Sequence, residues 1–159
     1  MYRRACFAVV VVVFSFLVAQ AVQAAGPFQY QSVTPCRLFD TRNNTGGAGT
    51  APKPNPGPHT FRVREKCSVP LTAKAVSINV TVITPTTGGD LRLFPSDGLA
   101  PNVAVMSYNA GEPALCNGAI LPLAVSTVGD DIALVIGMAC GGNGCGSIHM
   151  TMDVTGFFQ

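Results

Sequence analysis

The chain has 159 residues, of which 48% are hydrophobic and 11% charged, with a formal net charge of +2 and no Trp. That balance excludes a charge-rich disordered chain, and the cation excess is too small for a nucleic-acid surface or a polybasic lipid anchor. Seventeen Gly and twelve Pro argue against long helices and for many turns.

The chain opens with Met1, Tyr2, Arg3 and Arg4, followed by an apolar stretch from Ala5 to Ala19 that includes five valines, Val9 to Val13. The stretch is shorter than the roughly 17–25 residues needed to span a bilayer. Val22 and Ala24 suit the small −3 and −1 pockets of a leader peptidase. Residues 1–24 therefore read as a cleaved signal helix, with cleavage after Ala24. Arg3, Arg4 and Cys6 leave with it, so residues 25–159 carry eight cations against eight acids and have a formal charge of zero. The reading implies a secreted protein, extracellular, surface-attached or periplasmic, with no membrane contact after cleavage.

Residues 25–159 are long enough for one domain with a core of its own. Hydrophobic alternation has period two, not 3.6. The first strand candidates are Phe28–Val33 and Cys36–Asp40. Residues 45–58, TGGAGTAPKPNPGP, follow as an exposed loop, because prolines at 52, 54, 56 and 58 cannot donate to a sheet. Next comes Thr60–Arg64. In Ala75–Ile83, Val76, Ile78, Val80 and Val82 share one face, and Ser77, Asn79 and Thr81 the other. Leu91–Phe94, Val103–Tyr108 and Ala119–Ser126 are shorter candidates. Ile132–Met138 is nearly all apolar, as for a strand covered on both faces. The last strand alternates Ile148, Met150, Met152 and Val154 with His149, Thr151, Asp153 and Thr155. About 8–10 short strands predict an all-β, single-domain antiparallel β-sandwich of jelly-roll or immunoglobulin-like type.

Five cysteines follow the signal, and an oxidising compartment makes them disulfide candidates. Cys36 and Cys67 flank the proline-rich loop, and a bridge there closes about 30 residues and stabilises by roughly 3–4 kcal/mol. Cys140 and Cys145 bracket Gly141-Gly142-Asn143-Gly144 as a hairpin tip. Their pairing leaves Cys116 over, whereas Cys116 paired to either one leaves the other. The odd cysteine is a route to a homo-oligomer. The spacing Cys140-x4-Cys145-x3-His149 imitates a zinc site, but exported thiols oxidise, so neither metal nor cofactor is expected.

Val33-Thr34-Pro35-Cys36-Arg37-Leu38-Phe39-Asp40-Thr41-Arg42 resembles the TPCR-x-x-DTR opening of a family of bacterial secreted β-domains of uncharacterised activity. Three further blocks agree in order: Cys67–Val82, Gly89–Pro95 and Asp153–Phe158. The resemblance implies a β-sandwich module with Cys36 paired to Cys67 and no named reaction. Cys116, Cys140, Cys145 and Phe157 depart from its pattern.

Arg37, Asp40 and Arg42 form the most distinctive charged motif, read as a hydrogen-bonded ionic network that pins the first strand and the loop behind it. His59 and His149 stand in no nucleophile motif, and Asp130-Asp131 reads as a turn. The chain is accordingly read as non-catalytic: a structural, adhesive or protein-binding surface module. The alternative is a lectin-like module that binds glycans, against which the lack of Trp and the presence of only three Tyr (Tyr2, Tyr30 and Tyr108) count.

Overall fold

The computed structural model describes residues 27–49, 53–54, 57–138, 140–141 and 144–159. The expected signal helix lies outside the described residues. The described chain is all β, with two antiparallel sheets of four long or short strands facing each other. Among the described residues no helix is long and apolar enough to cross a membrane.

The first sheet has the order β1 (Tyr30–Asp40), β11 (Ser147–Phe158), β4 (Ala75–Ile83), β7 (Ala114–Pro122). A two-residue strand, β2 (Lys53–Pro54), pairs with the start of β11, so the proline-rich loop touches the sheet there. The second sheet has the order β3 (His59–Phe61), β8 (Ile132–Met138), β5 (Gly89–Pro95), β6 (Met106–Tyr108). A small ribbon of β9 (Cys140–Gly141) and β10 (Gly144–Cys145) lies between β8 and β11.

Alternation drives this assembly. In β4 the buried positions are Val76, Ile78, Val80 and Val82, and each intervening residue is half-buried. They face Leu91 and Leu93 of β5 and Ile132, Leu134 and Ile136 of β8 across one hydrophobic core. β11 contributes Ile148, Met150, Met152 and Val154, then gains one residue against β4 between Val154 and Gly156. That bulge resets the alternation, so Phe157 returns to the core. Phe39 of β1 and Phe61 of β3 stack across the sheets with ring centroids 4.1 Å apart.

Several strand boundaries differ from the sequence expectation. Phe28–Val33 and Cys36–Asp40 are one strand, because two register shifts against β11 carry the pairing past Pro35. The strand expected over Ala119–Ser126 runs instead from Ala114 to Pro122. Its exposure hides the apolar alternation there, since the core of the sandwich covers little of an edge strand. β8 is covered on both faces only in its first half: Ala133 is buried, while Val135 and Gly137 are half-buried.

The Cys36–Cys67 disulfide is present, with Cα atoms 5.5 Å apart. It ties β1 to a tight turn in which Glu65, Cys67 and Ser68 adopt left-handed backbone, at φ 66°, 50° and 60°. This pairing fits an oxidising environment. Cys145 is also disulfide-bonded, and Cys140 stands across from it in the β9–β10 ladder. Cys116 is the free, exposed thiol among the described residues. The pairings of Cys116 with Cys140 or Cys145 therefore do not form.

Candidate functional site: the outer face of the β1–β11–β4–β7 sheet

The solvent face of the first sheet is built by the same alternation that fills the core. Residues directly opposite in an antiparallel pair point to one side, so register lines up side chains from four strands. Arg37, Asp153, Asn79 and Gly118 form one row. Asp40, Thr151, Thr81 and Cys116 form the next. Ser77 stands opposite Gly156 and Ile120 on the other side of the first row. Polar residues from three distant segments of sequence thus share one surface.

A charged network occupies the β1 end. Asp40 is only 2% exposed, and its carboxylate accepts from Arg42 through the backbone N–H at 2.9 Å, Nε at 3.0 Å and Nη2 at 2.7 Å. Arg37 Nη1 donates to it at 3.0 Å. The same Arg37 grips Asp153 through Nε and Nη2, an arrangement with two parallel bonds to one carboxylate. The Arg42 side chain holds the Asp40 carboxyl down at about 2, with Arg37 adding to the effect. The hydrogen bond from Arg37 to Asp153 pushes the Arg37 guanidinium above its ordinary value. Arg37, Asp40 and Arg42 are therefore brought together, and Asp153, 113 positions beyond Asp40 in sequence, completes the group.

Next to it Thr41 is fully buried and closes the strand end. Its N–H donates to the Met150 carbonyl, its Oγ1 accepts from Met150 N–H at 2.9 Å, and the same oxygen lies 3.0 Å from His149 Nδ1. His149 is on the polar face as expected, and it is held as a structural partner of Thr41.

The β4–β7 half is different. Gly118 leaves a shallow depression of about 540 Å³ bordered by Ser77, Asn79, Ile120 and Thr155. Ser77 and Thr155 satisfy each other, Oγ to Oγ1, at 2.9 Å. The Asn79 carboxamide and the Thr81 hydroxyl take no side-chain hydrogen bond among the described residues, so their donors and acceptors face solvent. Tyr30 borders the same face: its ring lies across Gly156 and its hydroxyl donates to the Thr155 carbonyl at 3.1 Å. A Cβ at Gly156 would sit 2.4 Å from that ring, so the absent side chain is what lets Tyr30 lie flat. Tyr30 is 49% exposed, whereas Tyr108 is buried.

A second concavity, about 410 Å³, opens between Gly46–Ala48, β3, Lys66 and Asp130. Its polar walls are mostly engaged. Arg62 donates to the carbonyls of Thr127 and Gly129 and to Glu65, and Asp130 accepts from Thr60 Oγ1.

Arg64 and Asp131 form a buried ion pair that no local motif announces. Asp131, expected in a turn, is fully buried: it accepts the N–H groups of Val63 and Arg64 at 2.7 and 2.8 Å and the Arg64 guanidinium at 2.5 Å. Arg64, 2% exposed, also donates to the carbonyls of Ala73, Ala124 and Ser126. The one signal available was an acid standing directly before an apolar strand, and nothing in spacing couples it to an arginine 67 positions away. Among the described residues no group of three or more His, Cys, Asp or Glu could hold a metal ion. In the zinc-like spacing Cys145 is taken up by a disulfide, which removes its thiolate as a ligand.

No protein-family model matches the chain, and no curated protein is detectably similar to it in sequence.

Proposed function

We propose that this chain is an exported, non-catalytic β-sandwich module that acts as an adhesive or protein-binding element of the cell surface, and that it binds through the outer face of the β1–β11–β4–β7 sheet. One observation carries the reading: three distant segments, around Arg37–Arg42, Ser77–Thr81 and Asp153–Thr155, deliver polar side chains to one face of one sheet. They are also three of the segments on which the resemblance to secreted β-domains rests. Half of that face is rigid through ion pairs, and the other half presents unpaired hydrogen-bonding groups at Asn79 and Thr81. Rigid elements with a preorganised polar surface lose little entropy on binding. The acids and the imidazole on this face are spent on Arg37, Arg42 and Thr41, which favours binding over acid–base chemistry.

A specific observation keeps the glycan reading alive. Tyr30 lays a half-exposed ring over Gly156 and bonds the carbonyl of Thr155, which also borders the Gly118 depression, and a stacking surface on a face with neutral hydrogen-bonding groups suits a sugar.

The test is adhesion of beads carrying the exported chain to the cells that export it. The proposal expects the beads to attach and protease shaving of the cells to abolish attachment. Loss on periodate oxidation instead, with shaving harmless, establishes the glycan reading. Beads that never attach contradict both.

A further inference from the structure

We infer that the outer edge of β7 is a homotypic pairing surface, through which two copies of this chain join their first sheets into one continuous eight-stranded sheet. A sheet edge exposes unpaired N–H and C=O groups and invites another strand unless it is blunted by shortness, charge, Pro or bulges. The four edges of this sandwich differ sharply in that respect. β3 and β6 are three residues each. β1 is long, but it carries Pro35, Arg37, Asp40, two register shifts and the disulfide at Cys36. β7 has none of these protections. It is nine residues long, and its pairing with β4 runs without a register shift from Ala75↔Pro122 to Ile83↔Ala114. Its sequence, ALCNGAILP, contains no charged residue and has its only Pro at the very end. Among the described residues nothing pairs with its far side.

The occupant follows from the same comparison. Among the described residues β7 is the one unprotected edge of the two facing sheets, so pairing between copies joins β7 to β7. That contact is isologous and closes at two, whereas an edge that matched a different edge would propagate into a fibre. An uncharged strand meets itself without like-charge repulsion. Full overlap of the two antiparallel strands puts the two-fold axis at Gly118 and sets Cys116 against Ile120 of the second copy on the outer face. Ile120 is 65% exposed in the single chain, and this pairing covers it. In this register the two Cys116 residues are not opposite each other, so the dimer needs no disulfide. It also places two outer faces side by side, which raises avidity for a repetitive surface. The inference stands apart from what that face binds.

Light scattering during size exclusion of the exported chain and of its Cys116→Ser variant, over a hundredfold range of concentration, tests this. The expected result is a dimer at the upper concentrations for both. Gly118→Lys should give a monomer with unchanged melting temperature. A Cβ at Gly118 meets only the Ile78 carbonyl, at 3.8 Å, so the lysine fits the fold, yet it meets its own copy at the axis. Ile120→Lys is the second variant and should act alike. A monomer at every concentration overturns the inference. So does a dimer that Cys116→Ser abolishes, a dimer that survives both lysines, or an open-ended series of larger assemblies.

Discussion

Arg64 and Asp131 form a buried ion pair, 2.5 Å from Nη1 to Oδ1, in which almost every remaining donor and acceptor also has a partner. The pair fastens the segment after β3 to the turn before β8 and, through the carbonyls of Ala73 and Ala124, to the residues just before β4 and just after β7. Removing one member of a buried pair leaves the other as an uncompensated charge and costs about 3–5 kcal/mol. Asp131→Ala should therefore lower stability by that amount in urea unfolding, a large share of the roughly 5–15 kcal/mol of a typical domain. The double change Arg64→Met/Asp131→Leu should not restore it, because the carbonyls of Ala73, Ala124 and Ser126 and the N–H groups of Val63 and Arg64 would stay unsatisfied.

Asp40 gives a prediction with a sign in pH. Its folded-state pKa, about 2, lies below its ordinary 3.8 because Arg42 and Arg37 hydrogen-bond the carboxylate. A lowered carboxyl pKa contributes stability that is present above the unfolded value and is lost as pH falls through the folded one. Asp40→Asn should melt lower than the parent at pH 7. The gap between the two should narrow from pH 4 downward and nearly close by pH 2, as followed by circular dichroism.

Tyr108 behaves in the opposite sense. Its hydroxyl is buried without a hydrogen-bond partner, and burial, aided by the Asp90 charge, pushes its pKa up to about 12. The neutral phenol is favoured in the fold, so this contribution is full below pH 10 and is lost as pH rises from 10 towards 12. Tyr108→Phe removes an unsatisfied hydroxyl at almost constant shape. It should raise stability by about 1 kcal/mol and flatten the alkaline limb of the melting profile.

Two glycines should respond differently to alanine. At Gly89 a Cβ would meet the Gly137 carbonyl oxygen at 2.2 Å, and that backbone is fixed in the β5–β8 ladder. Gly89→Ala should cost about 1–3 kcal/mol through overpacking. At Gly156 the obstacle is the end of the Tyr30 side chain, which can swing away. Gly156→Ala should cost little and free the Tyr30 ring. The chain has no Trp, and Tyr30 and Tyr108 are the tyrosines after the signal segment, so tyrosine emission and its quenching report the release directly.

The Cys36–Cys67 bridge spans 31 positions. In the chain-entropy picture the double change to Ser should cost about 3–4 kcal/mol, seen as a lower urea midpoint. Reduction of the parent protein should cost at least as much, because it also opens the bridge at Cys145.

The strands were legible where alternation was strong and both neighbours were present. Ala75–Ile83 has the same bounds in sequence and structure, because Val76, Ile78, Val80 and Val82 face the core and β4 has a strand on either side. β7 was displaced by several residues, because an edge strand with Asn117 and Gly118 at its centre carries no such contrast. The bulge in β11 left no mark beyond Phe157 falling out of phase. Arg37, Asp40 and Arg42 could be picked out because they crowd within six residues, which is a local signal. Asp153 and the Asp131–Arg64 pair act across 67 to 116 positions, and only the register of the sheets brings them to their partners.

The binding role of the outer face is tested most directly by placing one charge on it and one elsewhere. Asn79→Arg puts a cation in the middle of the β1–β11–β4–β7 face. Val125→Arg puts the same cation on a fully solvated loop, at a residue 92% exposed. Both should keep the parent melting temperature. Bead adhesion to the exporting cells should fall at least tenfold for Asn79→Arg and stay at the parent level for Val125→Arg. Equal adhesion of the two variants, or a loss confined to Val125→Arg, would contradict the assignment of this face.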